Sequence, residues 1–178
     1  MRRRFALAAV LALPLALAGC GSFAPDPDAG RSQPFEVERY FTGRVKAWGL
    51  IEPRFGGTVR QFTVEMQGRR DGDALVLDEQ FVYSDGERQQ RQWRIRKLAD
   101  GSFEGEAADA VGKATGREDG SSFRMLYALN VTAKGSTWQL DLDDQLFRID
   151  EEMVLNRIRL SKWGIAVSDV IIAFRKLD

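Results

Sequence analysis

Residues 61–83, QFTVEMQGRRDGDALVLDEQFVY, hold two alternating segments joined by an Asp-Gly pair. In the first, Phe62, Val64 and Met66 fall on one side of an extended chain, with Gln61, Thr63, Glu65 and Gln67 on the other. In the second, Leu75, Leu77, Glu79, Phe81 and Tyr83 share a side. A period of two marks a strand with one buried face. Asp71-Gly72 supplies two residues that tolerate positive φ, so the segments read as an antiparallel hairpin. Glu79 breaks the pattern, standing on the apolar face between Leu77 and Phe81.

The same grammar continues along the chain. Asp85-Gly86, Asp100-Gly101, Asp119-Gly120 and Lys134-Gly135 repeat the turn signal at intervals of 14 to 19 residues. Residues 125–131 place Met125, Tyr127, Leu129 and Val131 together, and residues 138–146 place Trp138, Leu140, Leu142, Asp144 and Leu146 together. Nine strands are expected, near 44–51, 58–68, 74–84, 89–98, 102–110, 122–133, 137–148, 153–162 and 166–176. Residues 34–41 suit one short amphipathic helical turn carrying Phe35 and Phe41. A meander this long leaves two bare edges unless it closes, and about eight strands enclose room for side chains or one small ligand. The expected fold is all-β, an antiparallel up-and-down barrel of about 8–10 strands, with a two-sheet β-sandwich as the alternative.

Before the meander lies a different kind of sequence. Arg2, Arg3 and Arg4 precede FALAAVLALPLALAG (5–19), an uncharged run that is short for a bilayer span and reads as an export signal. Leu17-Ala18-Gly19-Cys20 resembles the lipobox of bacterial lipoproteins. That resemblance implies cleavage between Gly19 and Cys20, a diacylglycerol on the Cys20 thiol and a third acyl chain on its new amino group. Each buried methylene contributes about 0.8 kcal/mol, so several chains make a stable anchor. Gly21, where an aspartate would signal retention at the inner membrane, implies transfer to the outer membrane, facing the periplasm. Residues 20–34 hold three prolines and two glycines and read as a lipidated flexible tether. The expected organisation is therefore signal peptide 1–19, tether 20–34 and β-barrel domain 35–178.

Composition narrows the function classes. The chain is 44% hydrophobic and 29% charged, which fits one globular domain behind its leader. Taking Arg2, Arg3 and Arg4 from the 26 basic residues leaves 23 against 26 acidic ones, which argues against nucleic acid as a partner. There is no histidine and one cysteine. Ser-His-Asp and Cys-His catalysis are thereby excluded, as are ordinary zinc sites and an intramolecular disulfide. No phosphate-binding glycine loop or calcium loop is present. No cofactor is expected beyond the covalent lipid on Cys20, and no metal ligands are assigned.

The body also resembles a family of bacterial lipoproteins catalogued as domain of unknown function 3833. The resemblance rests on YFTGRVKAWG (40–49), LDEQFVYSDG (77–86) with RQW (91–93), AADAVGKATG (107–116), DLDDQLFRID (141–150) and LNRIRLSKWG (155–164). It implies a calycin- or lipocalin-like barrel and an envelope location, and no particular chemistry. Trp48 with Arg175 is similar to the lipocalin arrangement in which a first-strand Trp packs under a late Arg.

Candidate functional residues are the polar groups on apolar faces. Glu79, Asp109 and Asp144 sit among large apolar neighbours, and a buried carboxylate costs several kcal/mol unless paired. They are expected to meet Arg91, Arg157 or Arg159 inside the barrel, with Asn156 nearby. Three readings follow. The cluster is an internal salt-bridge network that sets register, a polar patch at the bottom of a ligand pocket, or a glycosidase-like carboxylate pair. In the second, Phe62, Met66, Phe81, Tyr83, Trp93, Tyr127 and Trp138 line the pocket, and Gly105, Ala107, Gly112, Ala114 and Gly116 leave interior space. The partners expected are the bilayer, a small lipophilic ligand and an envelope protein. A binding protein is the first expectation, a filled structural barrel the second, and an enzyme the third.

Overall fold

The computed structural model describes residues 34–133 and 135–178. The signal peptide, Gly19, Cys20 and the tether up to residue 33 lie outside the described residues. Helix α1 (Val37–Phe41) precedes ten strands: β1 (Gly43–Pro53), β2 (Arg60–Asp71), β3 (Ala74–Tyr83), β4 (Arg88–Lys97), β5 (Ser102–Ala107), β6 (Ala114–Asp119), β7 (Ser122–Ala133), β8 (Ser136–Arg148), β9 (Met153–Lys162) and β10 (Ile165–Lys176). Each strand pairs antiparallel with its neighbours in sequence, and β1 pairs with β10 from Val45↔Lys176 to Pro53↔Ser168. The barrel is closed, so no sheet edge is left bare and the sandwich alternative falls away. The chain reverses at the expected Asp-Gly pairs, and Gly72, between β2 and β3, needs its positive φ of 63°.

Two details differ from the expectation. The fifth strand stops at Ala107, and Asp109 lies in the following turn. A tenth strand, β6, occupies residues 114–119. Its inward residues are Ala114 and Gly116, too small to give an alternating apolar signal.

The barrel has a closed end and an open end. At the closed end α1 lies across the mouth, and Phe35, Val37, Tyr40 and Phe41 are all buried. Phe41 meets Phe174 edge-on with ring centroids 5.5 Å apart. The Tyr40 hydroxyl donates to the Glu152 carbonyl (2.8 Å), and the Phe35 amide donates to the Gly120 carbonyl (2.9 Å). Above this base Phe103 and Phe123 pack edge-on at 5.2 Å.

The small inward residues do not leave empty space. A Cβ at Gly105 would meet the Met125 methyl at 2.3 Å, and one at Gly116 would meet the Phe123 ring at 2.6 Å. The absent side chains are replaced by large ones from β7, so this part of the core is filled. The expected Trp48–Arg175 arrangement is also not formed. Trp48 is half exposed with the Lys46 ammonium 5.8 Å from its ring, and Arg175 reaches Glu152 at 3.5 Å.

Burial changes along the barrel axis. On β3, Ala74 to Leu77 are buried, whereas Glu79, Phe81 and Tyr83 are partly exposed although they point inward. On β1 the change falls between Ala47 and Ile51, and on β8 between Leu142 and Leu140. Solvent therefore reaches inward-facing side chains from one end only.

Candidate functional site

Polar side chains gather where the filled base gives way to the open half. Glu79 on β3 and Arg91 on β4 are direct register partners, and β2 places Met66 on the other side of Glu79. Arg91 Nε donates to both carboxylate oxygens of Asp109 (3.1 and 2.9 Å), and its Nη2 donates to Oδ2 at 2.8 Å. This two-pronged bond uses the planar fork of the guanidinium. Nη1 comes only within 3.9 Å of Glu79 Oε2, which is buried and accepts no hydrogen bond. Across the barrel, Asp144 on β8 accepts the Tyr127 hydroxyl (2.9 Å) and the Asn156 amide. That amide also donates to the Gln145 carbonyl at 2.9 Å. Trp93 packs edge-on against Tyr127 at 5.2 Å and so joins the two halves of the cluster.

The electrostatics follow from burial. Desolvation pushes the Glu79 carboxyl up to about 7, against the pull of Arg91 and with the help of Asp144 and Asp109. Burial likewise raises Asp144 to about 6, although the hydrogen bonds from Asn156 and Tyr127 hold it down. Burial and the neighbouring Asp144 push the Tyr127 hydroxyl well above its ordinary value. For Arg91, burial opposes the charge, but Glu79 and Asp109 outweigh it and keep the guanidinium protonated.

A raised carboxyl pKa means that the folded state holds protons the unfolded chain has released. For Glu79 this window runs from 4.5 to about 7, so its contribution to stability falls as pH rises through that range. Glu79→Gln is therefore expected to stabilise the protein by about 2 kcal/mol near pH 8 and to have little effect near pH 4. Urea unfolding of both proteins at the two pH values checks this. Equal stability of the pair at the higher pH would refute it.

The structure brings together Glu79, Arg91, Asp109, Asp144 and Asn156. It does not bring Arg157 and Arg159 to them. Val154, Asn156, Ile158 and Leu160 take the inward face of β9, so the two arginines between them point outward. There they flank Asp169 of β10 at 3.7 and 3.6 Å, with Arg54 joining from beyond β1. Asp143, next to Asp144, also faces out and pairs with Arg124 at 2.7 Å.

Among the residues expected to line a pocket, Phe62, Met66 and Trp93 are buried, and Phe81, Tyr83 and Tyr127 partly so. Phe62, Phe81 and Tyr83 form a ring cluster with centroids 5.7 to 6.1 Å apart. Trp138 is instead at the rim, 47% exposed, with the Lys162 ammonium 3.3 Å from its ring. The strand parity was right, but the position lies beyond the last enclosed layer. Sequence reasoning missed the carboxylate partner Tyr127 OH, whose alternation marked it only as apolar lining. A separate cleft of about 390 Å³ lies outside the closed end, between α1 and the end of β10, and contains none of the interior carboxylates.

Comparison with known proteins places the barrel. The family described as "Protein of unknown function (DUF3833)" matches residues 14–176. The chain belongs to this family. No curated protein matches it. Among solved structures, this DUF3833 barrel is similar to the S-type phycobiliprotein lyase CPES from Guillardia theta, with a TM-score of 0.58 and 6% identity. The match covers 84% of this chain and 95% of the lyase. At that identity the likeness concerns the fold, a lipocalin-like barrel, and it agrees with the fold implied by the family resemblance.

Proposed function

We propose that this protein is a lipid-anchored binding protein of the bacterial envelope that holds a small amphiphilic or apolar ligand in the open half of its barrel. The observation that carries the reading is the change of burial along the axis. Below Glu79 the interior is packed, while above it inward-facing Phe81, Tyr83, Val131, Leu140 and Ile51 are only partly covered. Partly exposed, inward-facing rings and aliphatic groups over a few converging polar groups match the usual residue make-up of a small-molecule site. Around the same end Phe55, Trp163 and Ile165 are strongly exposed and give a lipophilic molecule an apolar approach. The polar cluster forms the floor of the site, and acylated Cys20 supplies the anchor through a tether that joins the body at the closed end. The mouth then faces away from the point of attachment.

Native mass spectrometry of the full-length protein extracted from membranes tests both parts. The expected spectrum shows the mass of acyl chains on the mature chain and a co-purifying small molecule released by organic solvent. A barrel that is always empty, and that also fails to bind a fluorescent apolar probe such as N-phenylnaphthylamine, would sink the ligand reading. That outcome favours the second reading, a filled structural barrel acting through its surface on envelope proteins. The filled space above Gly105 and Gly116 is the observation on its side.

A further inference from the structure

The charges on the floor of the barrel select among amphiphiles, provided the ligand reading above holds. We propose that the ligand carries a cationic head, an amine or ammonium, seated between Glu79 and Asp144, with its apolar part running past Phe81 and Tyr83 to the open end.

At the floor of the open half three carboxylates, Glu79, Asp109 and Asp144, face one guanidinium, that of Arg91; Arg60, 3.7 Å from the Tyr83 ring and nearer the mouth, is committed to Asp85 and Glu87. Arg91 commits its Nε and Nη2 to Asp109. Glu79 is left with a 3.9 Å approach and no hydrogen bond, although its side chain is only 11% exposed and Oε2 is buried. Asp144 has two neutral donors, Tyr127 and Asn156, and no cation within bonding distance among the described residues. A buried acceptor without a donor is costly, and a charged one more so. An ammonium supplies what is missing, both the positive charge and the N–H groups, and such charge-assisted bonds are the stronger kind. A carboxylate or phosphate head would instead add like charge to a site already short of cations.

The ammonium needs its carboxylates ionised. Glu79 is faced by Arg91 of β4, Asp109 of the following turn, Asp144 of β8, Tyr127 of β7 and Tyr83 of its own strand. In that setting burial holds Glu79 at about 7 and Asp144 at about 6 before the ligand arrives. Amine binding therefore expels protons, and affinity rises from about pH 5 to about pH 8, below the range where an alkylamine itself loses its charge.

Isothermal titration of the mature protein with decylamine, decanol and decanoate, each below its micellar concentration, tests the assignment. At about pH 8 decylamine is expected to bind at least about tenfold more tightly than either of the others. Its advantage shrinks at about pH 5 and disappears in the Glu79→Gln/Asp144→Asn double variant. Decanoate or decanol binding as well as the amine would overturn the charge assignment and leave the ligand reading intact. Binding of none of the three sinks that reading with it. The comparison among probes on the unaltered protein stands whether or not the double variant folds.

Discussion

Arg91→Met is expected to destabilise the barrel by about 3 kcal/mol at neutral pH. The size comes from what the substitution leaves behind. Arg91 is the guanidinium that holds Asp109 with a two-pronged bond and approaches Glu79, and its side chain is only 17% exposed. Methionine keeps much of the stem volume, so lost packing contributes little. What remains is a cluster of three carboxylates with no positive partner in a poorly solvated place. Glu79 and Asp109 lose their attraction to Arg91, and the three acids repel one another. Because protonation relieves that repulsion, the loss should be largest near pH 8 and smaller near pH 5. Thermal and urea unfolding across this range measure it. A domain of this size loses roughly 10 °C in Tm for such a change. A variant as stable as the parent near pH 8 would mean that the cluster is solvated and that Arg91 is replaceable.

The second large effect is expected at Gly68→Ala, in the closed end. Gly68 pairs with Leu77 of β3 and sits directly beneath the last turn of α1. A Cβ there would lie 1.7 Å from the Phe41 carbonyl oxygen and 2.8 Å from its carbon. Backbone cannot swing aside as a side-chain tip can, so α1 must lift or β2 must bend. Lifting α1 uncovers Val37, Tyr40 and Phe41 together, because one short helix carries all three, and it pulls on Phe35 just before it. The expected loss is about 3 kcal/mol, at the upper end of overpacking effects. Gly105→Ala is the control. Its Cβ would meet the Met125 methyl, the end of a flexible chain that can turn away, and a loss of about 1 kcal/mol or less is expected. Urea unfolding ranks the two variants, and faster hydrogen exchange at the Tyr40 amide in Gly68→Ala locates the damage. Equal stability of the two alanine variants would contradict this account of the base.

The legibility of the fold varied with side-chain size. Between Gln61 and Tyr83, large apolar residues alternate on both sides of an Asp-Gly turn, broken at Glu79, and the two segments pair as β2 and β3. At β6 the inward positions are Ala114 and Gly116, and no periodicity could distinguish that strand from a loop. Their smallness is a reply to Met125 and Phe123 on the neighbouring strand, and that relation exists only after folding. Expecting empty space beside Gly105 and Gly116 failed for the same reason.

The candidate site was partly legible by the same logic. Glu79, Asp109 and Asp144 stood out as charges on apolar faces, and parity alone put Asn156 on the inward side of its strand. Parity also put Arg157 and Arg159 with Leu155, on the opposite side. The expectation that they enter the barrel rested on the carboxylates' need for a cation, which Arg91 meets for Asp109 alone.

From residue order alone came the period of two, the turns and the sign of the charges, because each is a local property of a few consecutive residues. Closure by β1 on β10, the packing of α1 across one end, and the shortage of cations around Glu79 and Asp144 depend on contacts between residues far apart in sequence. Those were decided by the tertiary structure. A barrel sets which distant side chains share a layer through its register, and neither that register nor the depth at which solvent stops is written in any single strand.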